Sequence, residues 1–181
     1  MGILLAFAPF LAFAVVDVLA GAVPGLLAGA AIAFALLVRD WIDPKRSPKL
    51  MEIGAAVLFT ALALYALLSG AGMSLVGAKF WVDLGLLAIA LLSMVIGRPF
   101  TLQYARESVP SAYWNNPEFL RTNQVITAAW ALAFAVIVSM NLVMLYVPGV
   151  PRQLPIVVTI LSVVAAAKFT TAYSERAAAR P

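Results

Sequence analysis

Four polar residues of this 181-residue chain lie inside long apolar stretches, and they are the first candidates for chemistry: Asp17, Lys79, Asp83 and Asn141. Lys79 and Asp83 are four residues apart, a spacing that places both side chains on one face of a helix. Ionisable groups within apolar segments are costly, so they indicate either a substrate or proton site or a structural ion pair. The pattern allows the four residues to meet in the outer half of a helical bundle. A structural Lys79–Asp83 pair is the alternative.

Composition excludes many other chemistries. The sequence contains no His and no Cys, which excludes disulfides, Cys or His nucleophiles, and haem, iron–sulfur or zinc sites that depend on these ligands. No glycine-rich phosphate loop, nucleophile elbow or pair of catalytic carboxylates is visible in the sequence. We therefore expect no catalytic residues, no metal and no cofactor, and we do not expect an enzyme.

The balance of apolar and charged residues predicts a membrane protein. Hydrophobic residues make up 64% of the chain and charged residues 11%, with a mean hydropathy of +1.02. Soluble domains average about 45–50% apolar and about 25% charged residues. Because so few charges cannot cover a water-facing surface, most side chains must face lipid. The net charge of +4 then indicates contact with anionic lipid headgroups rather than with nucleic acid.

Six charge-poor runs approach the roughly 20 residues that a helix needs to cross the bilayer core. Their uninterrupted apolar character favours helices over barrel strands. We therefore predict an all-α fold, a single transmembrane domain over residues 1–181 with six membrane-spanning helices. The predicted spans are residues 3–20, 25–41, 51–68, 76–96, 124–147 and 154–173.

The distribution of basic residues predicts the orientation. With six spans, one face holds ten of the 12 Lys and Arg residues, and the other holds Lys79 and Arg152. Because basic loops stay on the cytoplasmic side, we expect both termini to be cytoplasmic, in a plasma membrane. The ten residues are Arg39, Lys45, Arg46, Lys49, Arg98, Arg106, Arg121, Lys168, Arg176 and Arg180.

The longest loop, residues 97–122, combines aromatic and basic side chains. We predict a short interfacial helix over residues 99–107 that ends before Pro110. Its aromatic rings are expected to enter the headgroup layer while the charges face water. The loop is either a contact platform for lipids or partner proteins, or an ordinary connector. The residues singled out are Arg98, Phe100, Tyr104, Arg106, Tyr113 and Trp114.

Three glycines, Gly21, Gly25 and Gly29, are spaced four residues apart at the start of the second span. Small residues at this spacing let helices approach closely. Two interpretations stay open, packing within the bundle and self-association through the second span.

Several short motifs point to a known family. The chain opens with Leu5-Ala6-Phe7-Ala8-Pro9-Phe10-Leu11, and a later span is followed by Arg98-Pro99-Phe100-Thr101-Leu102-Gln103. Trp114, Asn123 and Trp130-Ala131 then follow in order. Together with the basic loop after the second span, this arrangement resembles the intracellular septation protein A family of bacterial inner-membrane proteins. The resemblance implies a location in the bacterial inner membrane and a role in the cell envelope, without established catalytic residues.

Three functions fit these observations. The first is a non-enzymatic scaffold that binds membrane lipids, other membrane proteins or itself, and the second is an accessory subunit of a larger complex. The third is a small-solute or ion transporter or channel that uses Asp17 or Asp83. We favour the scaffold, with the accessory subunit as a close variant. The scaffold predicts that Asp83→Asn is tolerated, whereas transport predicts that Asp17 or Asp83 faces a polar cavity.

Overall fold

The computed structural model describes residues 5–43, 46–69, 74–151 and 153–178. Within these ranges the chain forms seven α-helices and one 3-10 turn, and it forms no strand. The prediction of an all-α fold is therefore confirmed for this part of the chain. The elements are α1 (Ala8–Ala20), α2 (Ala22–Ile42), α3 (Leu50–Leu68), α4 (Leu75–Val95), α5 (Phe100–Ala105), the 3-10 turn Ser111–Tyr113, α6 (Pro117–Tyr146) and α7 (Gln153–Ala178).

Five helices, α2, α3, α4, α6 and α7, are long and apolar enough to cross a membrane. The helix α1 is different, because its 13 residues extend only about 20 Å at 1.5 Å per residue. Its Pro9 lies in the first turn, where proline is tolerated because no helical hydrogen bond is lost. The predicted start of the first span at Ile3 lies outside the described residues, as do Lys45, Arg152 and Arg180 of the orientation count.

The chain divides into two compact units, Met1–Ile89 and Ala90–Pro181. In the first unit α1 packs against α2, and α2 packs against α3. The fully buried ring of Phe59 on α3 lies at the centre of this core. Its ring centroid is 5.2 Å from that of Phe10 and 5.8 Å from that of Phe13, so two aromatic residues of the α1 segment pack on one residue of α3.

Two of the three spaced glycines make this packing possible. A Cβ atom on Gly29 would lie 2.6 Å from the Phe59 ring, and one on Gly25 would lie 3.0 Å from the Cβ of Asp17. Both glycines therefore serve close contacts inside the first unit. Gly21 has no such neighbour within 4 Å, and its φ of +97° instead permits the sharp turn between α1 and α2.

In the second unit, α5 and α7 both pack against α6. Trp130 of α6 is buried, and its indole N–H donates a 3.0 Å hydrogen bond to the hydroxyl of Thr170 on α7. The ring centroid of Trp130 also lies 5.8 Å from that of Phe134, one turn further along α6. Trp130 thus joins α6 to α7 through a polar contact.

Defined caps set the bounds of α4 and α6. Beyond α4, the N–H of Gly97 (φ +73°) bonds to the Met94 carbonyl at 3.0 Å, and the N–H of Arg98 bonds to the Ser93 carbonyl at 2.9 Å. These two backbone hydrogen bonds end the helix at a residue with left-handed backbone conformation. At the start of α6, the side chain of Asn116 accepts a 2.8 Å hydrogen bond from the N–H of Glu118. The cap makes α6 a helix of 30 residues that begins before the predicted span 124–147.

Candidate functional site

Lys79 and Asp83 of α4 form a direct ion pair, with 2.6 Å between the Lys79 Nζ and an oxygen of Asp83. The two side chains are partly buried. Their spacing of four residues places them on the same helical face, and the long lysine side chain spans one turn to reach the carboxylate. This pair accounts for both ionisable residues of the apolar run that forms α4.

Asp17 lies near the end of α1 and is buried where Gly25 of α2 approaches its backbone. Lys79 acts on the Asp17 carboxylate electrostatically. Within the described part of the chain, the Oδ1 atom of Asp17 has no hydrogen-bond partner. Three of the four predicted cluster residues thus belong to the first unit. Asn141 is buried in α6 of the second unit and is described with that unit.

A buried group of charged residues, which was not predicted from the sequence, lies at the link between α2 and α3. Asp40 lies near the end of α2, Lys49 directly precedes α3, and Glu52 lies in the first turn of α3. All three side chains are almost completely buried. The ammonium group of Lys49 contacts Asp40 directly and lies 3.8 Å from an oxygen of Glu52. We name these residues, together with Arg39, the hairpin cluster.

Arg39 completes the charge balance of the hairpin cluster. Its guanidinium lies 2.6 Å from Asp40 and 3.5 Å from Glu52, so two cations face two carboxylates. Arg46, more exposed, lies 3.8 Å from Asp40. In the sequence, these basic residues indicated only the orientation of the chain in the membrane. The signal that could have revealed the cluster was the presence of Asp40 and Glu52 on either side of a basic loop, each within a helical turn of the loop.

The connector after α4 forms a short helix, α5, whose residues Phe100 and Tyr104 are buried in the protein. The prediction that these two rings enter the headgroup layer is therefore wrong. Polar contacts contribute to the burial of these two rings. The hydroxyl of Thr101 donates a 2.9 Å hydrogen bond to the Asn123 carbonyl and lies 2.8 Å from the Thr127 hydroxyl, with which it shares a second hydrogen bond. These bonds hold α5 against α6.

The remaining predicted loop residues differ in their exposure. Arg98 and Tyr113 are exposed. The Arg106 guanidinium lies 5.4 Å from the centre of the Trp114 ring, within the range of cation–π contacts. The Trp114 N–H donates a 2.9 Å hydrogen bond to the Val109 carbonyl. Arg106 and Trp114 thus fold the connector onto itself, and Arg98 and Tyr113 remain as surface groups.

A cavity of about 580 Å³ lies in the second unit between the connector, the first turns of α6 and the last turns of α7. We name it the connector cavity. Its polar walls include the side chains of Ser108, Tyr113, Glu118, Thr122 and Ser174. Because most of these residues are exposed, the cavity opens to the surface. The described cavities do not include Asp17, Lys79 or Asp83 in their walls.

These features define the class of the protein, an α-helical chain with five helices suited to a membrane. No protein-family model, curated protein or solved structure matches the chain. The resemblance to the intracellular septation protein A family stays a prediction that rests on the motifs given above.

Proposed function

We propose that this chain is a non-enzymatic integral membrane protein of the bacterial cell envelope. In this proposal it acts as a scaffold or accessory subunit through contacts with membrane proteins or lipids. The absence of His and Cys from the sequence supports a non-enzymatic role. The motif resemblance to a bacterial inner-membrane family supports the location.

One observation carries the proposal: the charged residues of α4 and of the hairpin cluster pair with one another within the protein. Lys79 and Asp83 pair with each other at 2.6 Å, and Asp40 and Lys49 pair within the hairpin cluster. A transport pathway needs ionisable groups that face a water-filled route. Groups that neutralise one another in short ion pairs serve the stability and pairing of helices instead.

Transport remains the second candidate because of Asp17. Its carboxylate is buried, and one oxygen has no hydrogen-bond partner among the described residues, so it is a suitable place for a proton or a small cation. In this alternative, Asp17 would bind and release the proton or cation, and Lys79 would supply the nearby positive charge.

A flux measurement separates the two functions. The full chain and its Asp17→Asn and Asp83→Asn variants are reconstituted into liposomes that contain a pH-sensitive dye or, in a parallel set, a sodium-sensitive dye, and an outward potassium gradient with valinomycin drives proton or sodium entry. For the scaffold we expect the same dye response from wild type, both variants and protein-free liposomes. A wild-type flux above that of protein-free liposomes, abolished by either variant, would establish transport and overturn the scaffold proposal.

We also propose that the chain crosses the membrane six times, with both termini in the cytoplasm. The five long helices and the concentration of basic residues on one predicted face support this topology. It requires α1 to cross despite its length of about 20 Å, below the roughly 30 Å bilayer core, and hence local thinning of the bilayer.

Because the chain contains no Cys, single cysteines report the topology cleanly. A membrane-impermeant maleimide added to intact spheroplasts should label Ser69→Cys and Val150→Cys but spare Leu5→Cys, Ser47→Cys and Ser111→Cys. Inside-out vesicles should show the opposite pattern. Labelling of Leu5→Cys from the outside would show that α1 does not cross, and would reduce the topology to five spans.

A further inference from the structure

The guanidinium of Arg106 lies in the connector without a counter-ion among the described residues. The described ion pairs use four other cations, Arg39, Arg46, Lys49 and Lys79. The Nε atom of Arg106 is buried and has no hydrogen-bond partner in the described part of the chain. The side chain as a whole is only partly buried, so an anion can reach its two terminal nitrogens. A partly desolvated cation with unused donors favours the binding of an anion.

Trp114 and the backbone hold this guanidinium in one place. The Arg106 Cζ atom lies 5.4 Å from the centre of the Trp114 ring, and the Trp114 N–H is fixed by its 2.9 Å hydrogen bond to the Val109 carbonyl. The backbone N–H of Arg106 donates a 3.0 Å hydrogen bond to the Leu102 carbonyl at the end of α5. A cation–π contact orients a cation but does not neutralise its charge. The donors of Arg106 are therefore preorganised, which lowers the entropy cost of binding a ligand.

The position of the connector favours a ligand at the membrane surface. The connector joins α4 to α6, two helices that are apolar and long enough to cross a membrane. Val95 and Ile96, which directly precede the connector, are apolar and exposed. In the proposed topology these two side chains face acyl chains, and the connector lies at the depth of the headgroups. The indole ring of Trp114 suits this depth, because it has an apolar body and a polar N–H.

A phosphate group matches the charge and the shape of the Arg106 side chain. The guanidinium presents its N–H groups in a planar fork that can bind two oxygens of one phosphate group. The carboxylate of the next residue, Glu107, forms no described ion pair with Arg106, and Glu107 is exposed. A choline headgroup carries a cation of its own that competes with Arg106 for the phosphate. An anionic phospholipid has no such cation and is attracted by the net charge as well.

We infer that Arg106 and Trp114 bind the phosphate group of an anionic phospholipid. The terminal N–H groups of Arg106 donate hydrogen bonds to two phosphate oxygens, and the Trp114 ring keeps the guanidinium in position. This inference rests on the membrane location in the proposed function and names one lipid contact within it. It does not depend on the connector cavity, because neither residue is part of the described walls of that cavity.

Native mass spectrometry of the full chain in detergent tests the site. The delipidated protein is titrated with phosphatidylglycerol and, separately, with phosphatidylcholine of the same acyl chains. We expect the first phosphatidylglycerol to bind the unmodified chain at least about fivefold more tightly than the first phosphatidylcholine. Arg106→Gln should weaken the binding of phosphatidylglycerol about tenfold, because hydrogen bonds to a charged group are lost. Arg121→Gln removes an equal charge from the exposed surface of α6 and should weaken it less than about twofold.

Two further measurements define the chemistry. Arg106→Lys keeps the positive charge but loses the planar fork, so its affinity for phosphatidylglycerol should lie between those of the unmodified chain and Arg106→Gln. Inorganic phosphate at the concentration of the lipid should not displace phosphatidylglycerol from the unmodified chain. The lipid comparison and this competition use the unmodified chain, so they decide the inference even if the Arg106 variants do not fold.

Three results would overturn the inference. The first is equal affinity of the unmodified chain for phosphatidylglycerol and phosphatidylcholine. The second is an equal loss of affinity in folded Arg106→Gln and Arg121→Gln. The third is displacement of the lipid by inorganic phosphate, which would assign the site to a soluble ligand. Each of these results would leave the membrane location intact, because cysteine labelling measures that location separately.

Discussion

Replacement of Lys49 by Met should destabilise the protein strongly, because Lys49 is the most buried cation of the hairpin cluster. Its side chain is 3% exposed, and it faces Asp40 and Glu52, whose side chains are 0% and 1% exposed. Methionine has a similar length but no charge. The variant therefore leaves two buried carboxylates with Arg39 as their remaining close cation.

The expected magnitude follows from burial. Removing one partner of a buried ion pair typically costs about 3–5 kcal/mol, because the other charge stays buried without compensation. Arg46 offers a contrast, since its side chain is 39% exposed and lies 3.8 Å from Asp40. Exposed pairs contribute about 0–1 kcal/mol, so Arg46→Met should cost little. Arg39→Met should fall between the two, because the Arg39 side chain is 32% exposed.

The assay is reversible unfolding of the purified chain in mixed detergent micelles, followed by the fluorescence of its four Trp residues. Lys168→Met on the exposed surface of α7 is the matched control and should change the free energy of unfolding by less than about 0.5 kcal/mol. Adding Glu52→Gln to Lys49→Met should recover about 1–3 kcal/mol by removing one buried negative charge. If Lys49→Met behaves like Lys168→Met, the hairpin cluster does not stabilise the fold and the reasoning is refuted.

Three further predictions concern packing and use the same unfolding assay. Gly29→Ala should cost about 1–3 kcal/mol because the added Cβ meets the buried Phe59 ring, and an unchanged stability with a lost dimer would instead favour self-association. Trp130→Phe and Thr170→Val should each lower the free energy of unfolding by about 1 kcal/mol or more, because each removes the hydrogen bond between these residues. The double variant should lose less than the sum of the two single losses. Fully additive losses would contradict the coupling. Gly97→Ala should cost about 1–2 kcal/mol because φ is +73° there, and a neutral effect would show that the α4 cap relaxes.

The helical fold was predictable because apolar run length and charge placement are strong signals in a membrane protein. The predicted spans 51–68 and 154–173 lie within α3 and α7. The start of α6 was less predictable, because the apolar run begins at residue 124 whereas the helix begins at Pro117. The helix continues through polar sequence because Asn116 caps its start and the Asn123 carbonyl accepts a hydrogen bond from Thr101 of the connector. Hydropathy carries no information about such polar contacts.

The candidate sites were predictable only in part. The Lys79–Asp83 pair follows from local spacing along one helix. The hairpin cluster does not, because Asp40 and Glu52 meet Lys49 only after the chain turns between α2 and α3. The burial of Phe100 and Tyr104 likewise depends on α5 folding back onto α6, which requires the Thr101 hydrogen bonds. Contacts between segments that meet only after the chain folds back depend on tertiary packing, and no local sequence pattern indicates them.

Buried polar groups of the two units make different kinds of described contact, and this difference has consequences for stability. The first unit contains ion pairs, Lys49 with Asp40 and Lys79 with Asp83. In the second unit, neutral contacts join helices, such as Thr101 with Thr127 and Trp130 with Thr170. A neutral bond contributes only about 0.5–1.5 kcal/mol net, whereas a broken buried ion pair costs several times more. The pairing of α2 with α3 therefore depends on the hairpin cluster as well as on the packing of Gly29 against Phe59, and loss of Lys49 should cost more than loss of any one neutral bond in the second unit.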